Sequence, residues 1–164
     1  MKTAYFAGGC FWCITPDFQE TEGVFSVTSG YSGGDEVDPT YLDVKNQNTG
    51  HRETIRVEYD PGVIGFPELV DIYLRGVDPF DDGGQFIDRG HSYTLAIYYL
   101  EEAEKQTALE KCQALEVTSG EKVCVSIEAF RNFYTAEEEH QDYYRKHPEE
   151  FRKELIESGR LKEE

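Results

Sequence analysis

The chain commits to a strand, a tight turn and a helix within its first twenty residues. Lys2 to Ala7 is a short apolar and aromatic run closed by Gly8-Gly9, and Cys10 to Glu20 follows with helical character interrupted only by Pro16. The pattern then repeats. Val24 to Ser29 reads as a strand, Gly30 to Gly34 as a loop and 35–50 as coil. In the strand over 53–59, Glu53, Ile55, Val57 and Tyr59 share one face and Thr54, Arg56 and Glu58 the other. Pro67 to Arg75 reads as a helix and 78–90 as a Gly/Asp-rich loop. A strand over 92–100, a helix over 101–115, a strand over 123–127 and helices over 136–144 and 148–158 complete the sequence. Strands alternating with helices throughout predict an α/β or α+β sandwich. At 164 residues it is expected to form one domain, 1–164.

Charge narrows the partners. The chain has 33 acidic against 16 basic residues, a net charge of −17, and no Lys/Arg cluster, so nucleic acid is not an expected partner. No stretch approaches the roughly 20 apolar residues of a membrane span, and Met1 to Ala7 is too short for a secretory signal. The expectation is a cytoplasmic protein whose thiols stay reduced unless chemistry oxidises them.

Cys10 is the first residue to point at chemistry. It sits where the strand passes into the helix, and the free N–H groups of a helix start favour a thiolate. Cys13 lies three residues on. Zinc would need a second close pair of ligands, whereas Cys112 and Cys124 are twelve apart and His140 and His147 are not a short pair, so no metal is expected. Glu53 is the second informative residue. On the Ile55 side of its strand it faces an apolar layer, where desolvation would keep the carboxyl protonated near neutral pH; the alternative is a strand end turned to solvent. Tyr41, Tyr93 and Asp88 lie beside loops, where they either serve a site or simply pack and cap. His51 and His140 read as structural.

With Gly9-Cys10-Phe11-Trp12, Gly30-Tyr31-Ser32-Gly33-Gly34, Pro39-Thr40-Tyr41, Thr49-Gly50-His51-Arg52-Glu53 and Val57-Glu58-Tyr59-Asp60-Pro61 in this order, the sequence resembles the type A methionine sulfoxide reductases. Asp88-Arg89-Gly90 with Tyr93 and the run from Ala136 to Tyr143 extend the match, which covers residues 4 to about 148. The resemblance implies a single α/β domain, a ferredoxin-like α+β two-layer sandwich with a mixed central sheet flanked by helices and extensive coil, and reduction of S-epimer methionine sulfoxide, free or in peptides and proteins. It implies Cys10 as nucleophile, Glu53 as proton donor, and Phe11 and Trp12 as the pocket for the substrate methyl. Tyr41, Asp88 and Tyr93 become the polar partners of the sulfoxide oxygen. No cofactor is expected, with thioredoxin or another dithiol as reductant and a monomer as the working form.

The sequence departs from the family in three places. Cys13 stands where many members have Gly, Ile87 where Asn is expected, and Pro16 falls inside the first helix. Pro16 lacks the N–H that would bond the Trp12 carbonyl, so either the helix kinks or it begins at Pro16 with Thr15 as cap. Cys13 is the expected resolving thiol, because residues three apart on a helix meet the roughly 4.4–6.8 Å Cα separation of a disulfide. Cys124 is the alternative, ahead of a cycle with one thiol and an external reductant. Other readings are a thioredoxin-like dithiol oxidoreductase using Cys10 and Cys13, and a zinc-binding interaction module.

Overall fold

Burial along one strand shows how the layers stack. In a computed structural model that describes residues 1–141 and 146–157, strand β3 (Arg52–Tyr59) buries Glu53, Ile55, Val57 and Tyr59 on one face. Strand β1 (Lys2–Gly8) lies against it antiparallel, with Phe6 opposite Ile55 and Ala4 opposite Val57. Helices α1 (Phe11–Gln19) and α3 (Phe66–Gly76) cover that face. The Phe6 ring stacks on Phe18 of α1 at 5.3 Å and on Tyr73 of α3 at 5.1 Å. Each such fully buried side chain is worth about 1.5–3 kcal/mol. On the other face Tyr5 stacks on Phe130 at 4.2 Å, so irregular chain rather than helix covers the sheet there.

Strand β2 (Val24–Ser32) pairs with β3, and β6 (Leu95–Tyr99) pairs with the free edge of β1, all antiparallel. The chain order β1-α1-β2-β3-α3-β6 with the sheet order β6-β1-β3-β2 is the split βαβ arrangement of ferredoxin-like folds. Helix α4 (Glu102–Ser119) then leads to β7 (Ser126–Ala129), which joins β6 in parallel and makes the sheet mixed; β8 (Tyr134–Thr135) pairs with the far edge of β2. A two-stranded ribbon of β4 (Gly84–Gln85) and β5 (Asp88–Arg89) stands apart from this sheet. Helix α5 (Pro148–Glu157) closes the described chain. The ends of β1 and β2 and the starts of β3 and β6 lie at one edge of the fold, which brings Cys10, Tyr31, Glu53 and Tyr93 to the same end.

Several boundaries differ from the sequence reading. The stretch 30–32 is strand, not loop: a Cβ on Gly30 would lie 2.5 Å from the Tyr134 carbonyl oxygen, so glycine is there to admit β8. The coil expected over 35–50 contains helix α2 (Tyr41–Lys45), started by a reciprocal cap in which Thr40 Oγ1 accepts from Asp43 N and Asp43 Oδ2 accepts from Thr40 N. The loop over 78–90 holds the β4–β5 ribbon. Strand β6 starts three residues late, after a 3-10 turn over His91–Tyr93. Strand β7 also starts late, because Val123 N bonds the Glu116 carboxylate and Cys124 N bonds the Pro79 carbonyl instead of the sheet. Of the helix expected over 136–144, the described part is a 3-10 turn over Glu138–His140; residues 142–145 and Ser158 lie outside the described residues.

Replacing Gly30 by Ala should lower unfolding free energy by about 1–3 kcal/mol, the typical cost of forcing volume into a packed site. Urea unfolding would show this as a lower midpoint at unchanged slope; a variant as stable as the parent would contradict the close β2–β8 approach.

Candidate active site

The turn between β1 and α1 sets the position of Cys10. Gly9 takes φ +84°, a conformation open to glycine, and Cys10 is the N-cap residue of α1. Pro16 neither ends nor delays this helix, which runs from Phe11 with Pro16 inside it. Near the carbonyls left without a proline N–H, Thr15 Oγ1 donates to the Phe11 carbonyl at 2.6 Å. Cys13 N donates to the Cys10 carbonyl at 3.0 Å, holding the two cysteines on one turn. The Cys13 side chain is the largest influence on the Cys10 thiol.

Glu53 enters from β3. It is 1% exposed, and its Oε1 accepts the Phe11 N–H at 3.2 Å while Oε2 is buried without a hydrogen-bond partner. Burial pushes its pKa up to about 8 against the opposing Phe11 N–H, with the Asp88 carboxylate adding to the rise. The carboxyl is therefore protonated at neutral pH. An oxygen that accepts an N–H is the carbonyl oxygen, so the acid proton belongs on Oε2, the oxygen with nothing bound to it.

The remaining candidates gather around this pair. Tyr93 is buried, and burial followed by the nearby Glu53, Tyr41, Asp88 and Cys10 groups pushes its phenol pKa up, keeping it a hydrogen-bond donor. Phe11, Trp12 and Tyr41 form one aromatic cluster, with Trp12 and Tyr41 rings 5.9 Å apart and Phe11 and Trp12 rings 6.0 Å apart. Phe11 is fully buried beneath the half-buried Trp12 and Tyr41, so the accessible apolar surface comes from the latter two. Ile87, 65% exposed in the turn between β4 and β5, takes no buried place beside its neighbour Asp88.

Residues 2–163 match the peptide methionine sulfoxide reductase family. The chain is 43% identical over 161 residues to the peptide methionine sulfoxide reductase MsrA of Bacillus licheniformis, covering 97% of this chain and 89% of that protein. The chain belongs to the peptide methionine sulfoxide reductase family. Among solved structures, reduced Mxr1 of Saccharomyces cerevisiae superposes with a TM-score of 0.85 at 29% identity, covering 90% of this chain and 86% of that one. The same yeast protein in complex with Trx2 shares the fold at TM-score 0.56 and 20% identity, covering 87% and 84%.

One expectation about this reductase needs correcting. The helix start does not leave Cys10 as a ready thiolate. Its hydrogen bond with Cys13 comes first, then burial, then the Cys13, Glu53 and Asp88 charges, and together these push the thiol pKa well up. Cys124 lies elsewhere: its Sγ faces the Phe80 carbonyl at 3.5 Å, and the charges that act on it are Asp82, Lys122, Asp81 and Asp78. Cys112 is buried on α4, raised to about 11 by burial and then Glu116.

Two residues around the reductase site were not anticipated as part of it. His140 stacks on Tyr41 at 4.2 Å and on Trp12 at 5.5 Å, is 8% exposed, and has neither ring nitrogen hydrogen-bonded; burial holds its pKa down. Glu137 accepts from the Tyr31 hydroxyl at 2.8 Å and from Tyr41 N at 3.1 Å. Both lie in the matched run 136–143, but sequence separations near 100 hide the contact from any local pattern. Glu137, Glu139 and His140 also present potential metal-ligand atoms within 4.8 Å of one another. Both Glu137 oxygens are already engaged by Tyr31 and Tyr41, and Glu139 is exposed.

The buried acid should shape stability against pH. Glu53 keeps its proton to about pH 8 when folded, against an ordinary value of 4.5, so between these limits only the unfolded chain releases it. Stability then falls as pH rises through that window, by about 1.4 kcal/mol per pH unit from this group. Urea unfolding of the parent and of Glu53→Gln from pH 5 to 8 should show the variant gaining on the parent as pH rises. A constant difference would contradict the raised value.

Proposed function

We propose that this reductase converts the S epimer of methionine sulfoxide, free or in proteins, to methionine, with Cys10 as nucleophile and Glu53 as acid. The observation that carries the reading is the buried, protonated Glu53: Oε1 is held by Phe11 N–H, and Oε2 is buried with no hydrogen-bond partner of its own, which leaves its proton for a substrate. Cys10 is the residue immediately before that N–H. A sulfoxide oxygen leaves sulfur only once protonated, and Glu53 supplies that proton while Tyr93, Tyr41 and Asp88 orient the oxygen. The Cys10 sulfur attacks the sulfoxide sulfur while its proton passes to the carboxylate that Glu53 has become, and a bond forms between the two sulfurs as the S–O bond breaks. The oxygen, released as water, then attacks the Cys10 sulfur, breaking the sulfur–sulfur bond, freeing methionine and leaving Cys10 as a sulfenic acid. Trp12 and Tyr41 receive the methyl group.

Cys13 then attacks the sulfenic acid, water leaves, and a Cys10–Cys13 disulfide forms. The shared helical turn, closed by the Cys13 N–H bond to the Cys10 carbonyl, and the influence of Cys13 on the Cys10 thiol support this choice over Cys124. Thioredoxin reduces the disulfide, a role supported by the Trx2 complex of the yeast relative. Substrate oxidant and thioredoxin reductant balance: one sulfoxide and one dithiol give one thioether, one disulfide and one water. The same reading has the chain working in the cytoplasm as a monomer without a cofactor, since thiols transfer both electrons. A plain dithiol oxidoreductase would leave the buried acid Glu53 with nothing to protonate.

Peptide mapping by mass spectrometry after one equivalent of the S-sulfoxide tests the assignment. The expected product is one methionine and a Cys10–Cys13 disulfide, with no turnover in Cys10→Ser. A Cys10–Cys124 disulfide, or a lasting Cys10 sulfenic acid beside a free Cys13, would overturn the role given to Cys13; turnover in Cys10→Ser would overturn the nucleophile.

A further inference from the structure

Tyr41 is placed by a residue far from it in sequence. As the first residue of α2 it has an N–H with no partner inside the helix, and Glu137 Oε2 accepts it at 3.1 Å. The other oxygen of the same carboxylate accepts from the hydroxyl of Tyr31 at 2.8 Å, and Tyr31 is fully buried on β2 opposite Glu53. Three residues beyond Glu137, His140 stacks on the Tyr41 ring at 4.2 Å. The turn that carries both is itself tied to the sheet. Ala136 N donates to the Ser29 carbonyl, while the Gln141 side chain both accepts from Ser29 N and donates to the Ser29 carbonyl, each at 2.9 Å.

We propose that Glu137 is a positioning residue of the reductase: its carboxylate joins β2 to the start of α2 and so sets where the Tyr41 phenol stands over the sulfoxide oxygen. Helix α2 is a single turn of five residues, too short to hold its own orientation, and this tertiary bond and the Thr40–Asp43 cap both act on its backbone start. Partial burial works against the charged form of Glu137, but hydrogen bonds from its own backbone, Tyr41 and Tyr31 hold the carboxyl below the usual range. It is therefore an acceptor at both oxygens throughout the working pH range. An amide at this position keeps only one acceptor and must release one of the two donors. The inference rests on the role given to Tyr41 in the proposed reaction and adds the group that places it.

A double-mutant cycle reads this directly, using a methionine S-sulfoxide peptide with thioredoxin as reductant. In Glu137→Gln, kcat should fall roughly ten-fold with KM changed less than about two-fold, because misplacing a group that acts on the reacting oxygen costs rate more than binding. The same substitution made in Tyr41→Phe should lower kcat by less than about two-fold, since the group it positions is already gone. Glu137→Asp, which keeps two acceptors, should recover part of the loss, and Tyr31→Phe, which removes one donor, should reproduce part of it. If Glu137→Gln does not fold, these two variants carry the test. Equal falls with and without the Tyr41 phenol, or parental kcat in Glu137→Gln, would overturn the inference while leaving the reading of Tyr41 intact. Parental kcat in Tyr41→Phe itself would overturn both.

Discussion

The hydrogen bond from Phe11 N–H to the Glu53 carboxyl joins the two halves of the site. A helix start leaves several N–H groups without partners, and here one of them is satisfied by a side chain 42 residues away on the neighbouring strand β3. Burying a lone carboxyl in an apolar layer is unfavourable when charged, so the group keeps its proton and offers the carbonyl oxygen to Phe11. The proton is then left on the buried oxygen that has no hydrogen-bond partner. One bond thus orients the acid, fixes the helix start and places Cys10 beside it.

The β1–β3 and β2–β3 registers make that bond possible. Phe6 opposite Ile55 and Tyr31 opposite Glu53 bring the strand ends level, so the residues after β1 reach the first residues of β3. The helices on the Phe6 face bury Glu53 by covering that face of β3. The cost shows in the thiol: the same enclosed, carboxylate-rich setting that protonates Glu53 also raises Cys10. Acid and thiol both rest in their protonated forms. In the proposed reaction this state couples the two steps: once Glu53 gives its proton to a bound sulfoxide, its carboxylate can take the proton of the attacking thiol.

Much of this was legible in the sequence where local pattern and burial agree. Alternation through 53–59 gave the face on which Glu53 lies, and the diglycine before Cys10 gave the strand-to-helix turn. Four features were not legible. Gly30 looked like a loop residue, but its missing side chain serves the approach of β8, a contact made 105 residues later. Helix α2 escaped notice because five residues show no period, and its cap is a Thr and an Asp inside polar sequence. The thiol pKa was misjudged because the helix start is a local feature, whereas Cys13, burial, Glu53 and Asp88 act through space. Glu137 is the same lesson at the site: a carboxylate in a run of three glutamates has no sequence mark to show which one is held by two tyrosines.

The claim that a buried carboxylic acid drives sulfoxide reduction is tested most directly by the rate of methionine formation in a single turnover of Glu53→Gln. The amide keeps the shape and can still accept from Phe11 N–H, but it has no acid proton to give. Loss of a positioned general acid costs about 10²–10⁴-fold, and the variant should fall by that much at pH 7 with Cys10 still open to alkylation. A variant within a few-fold of the parent would contradict the account.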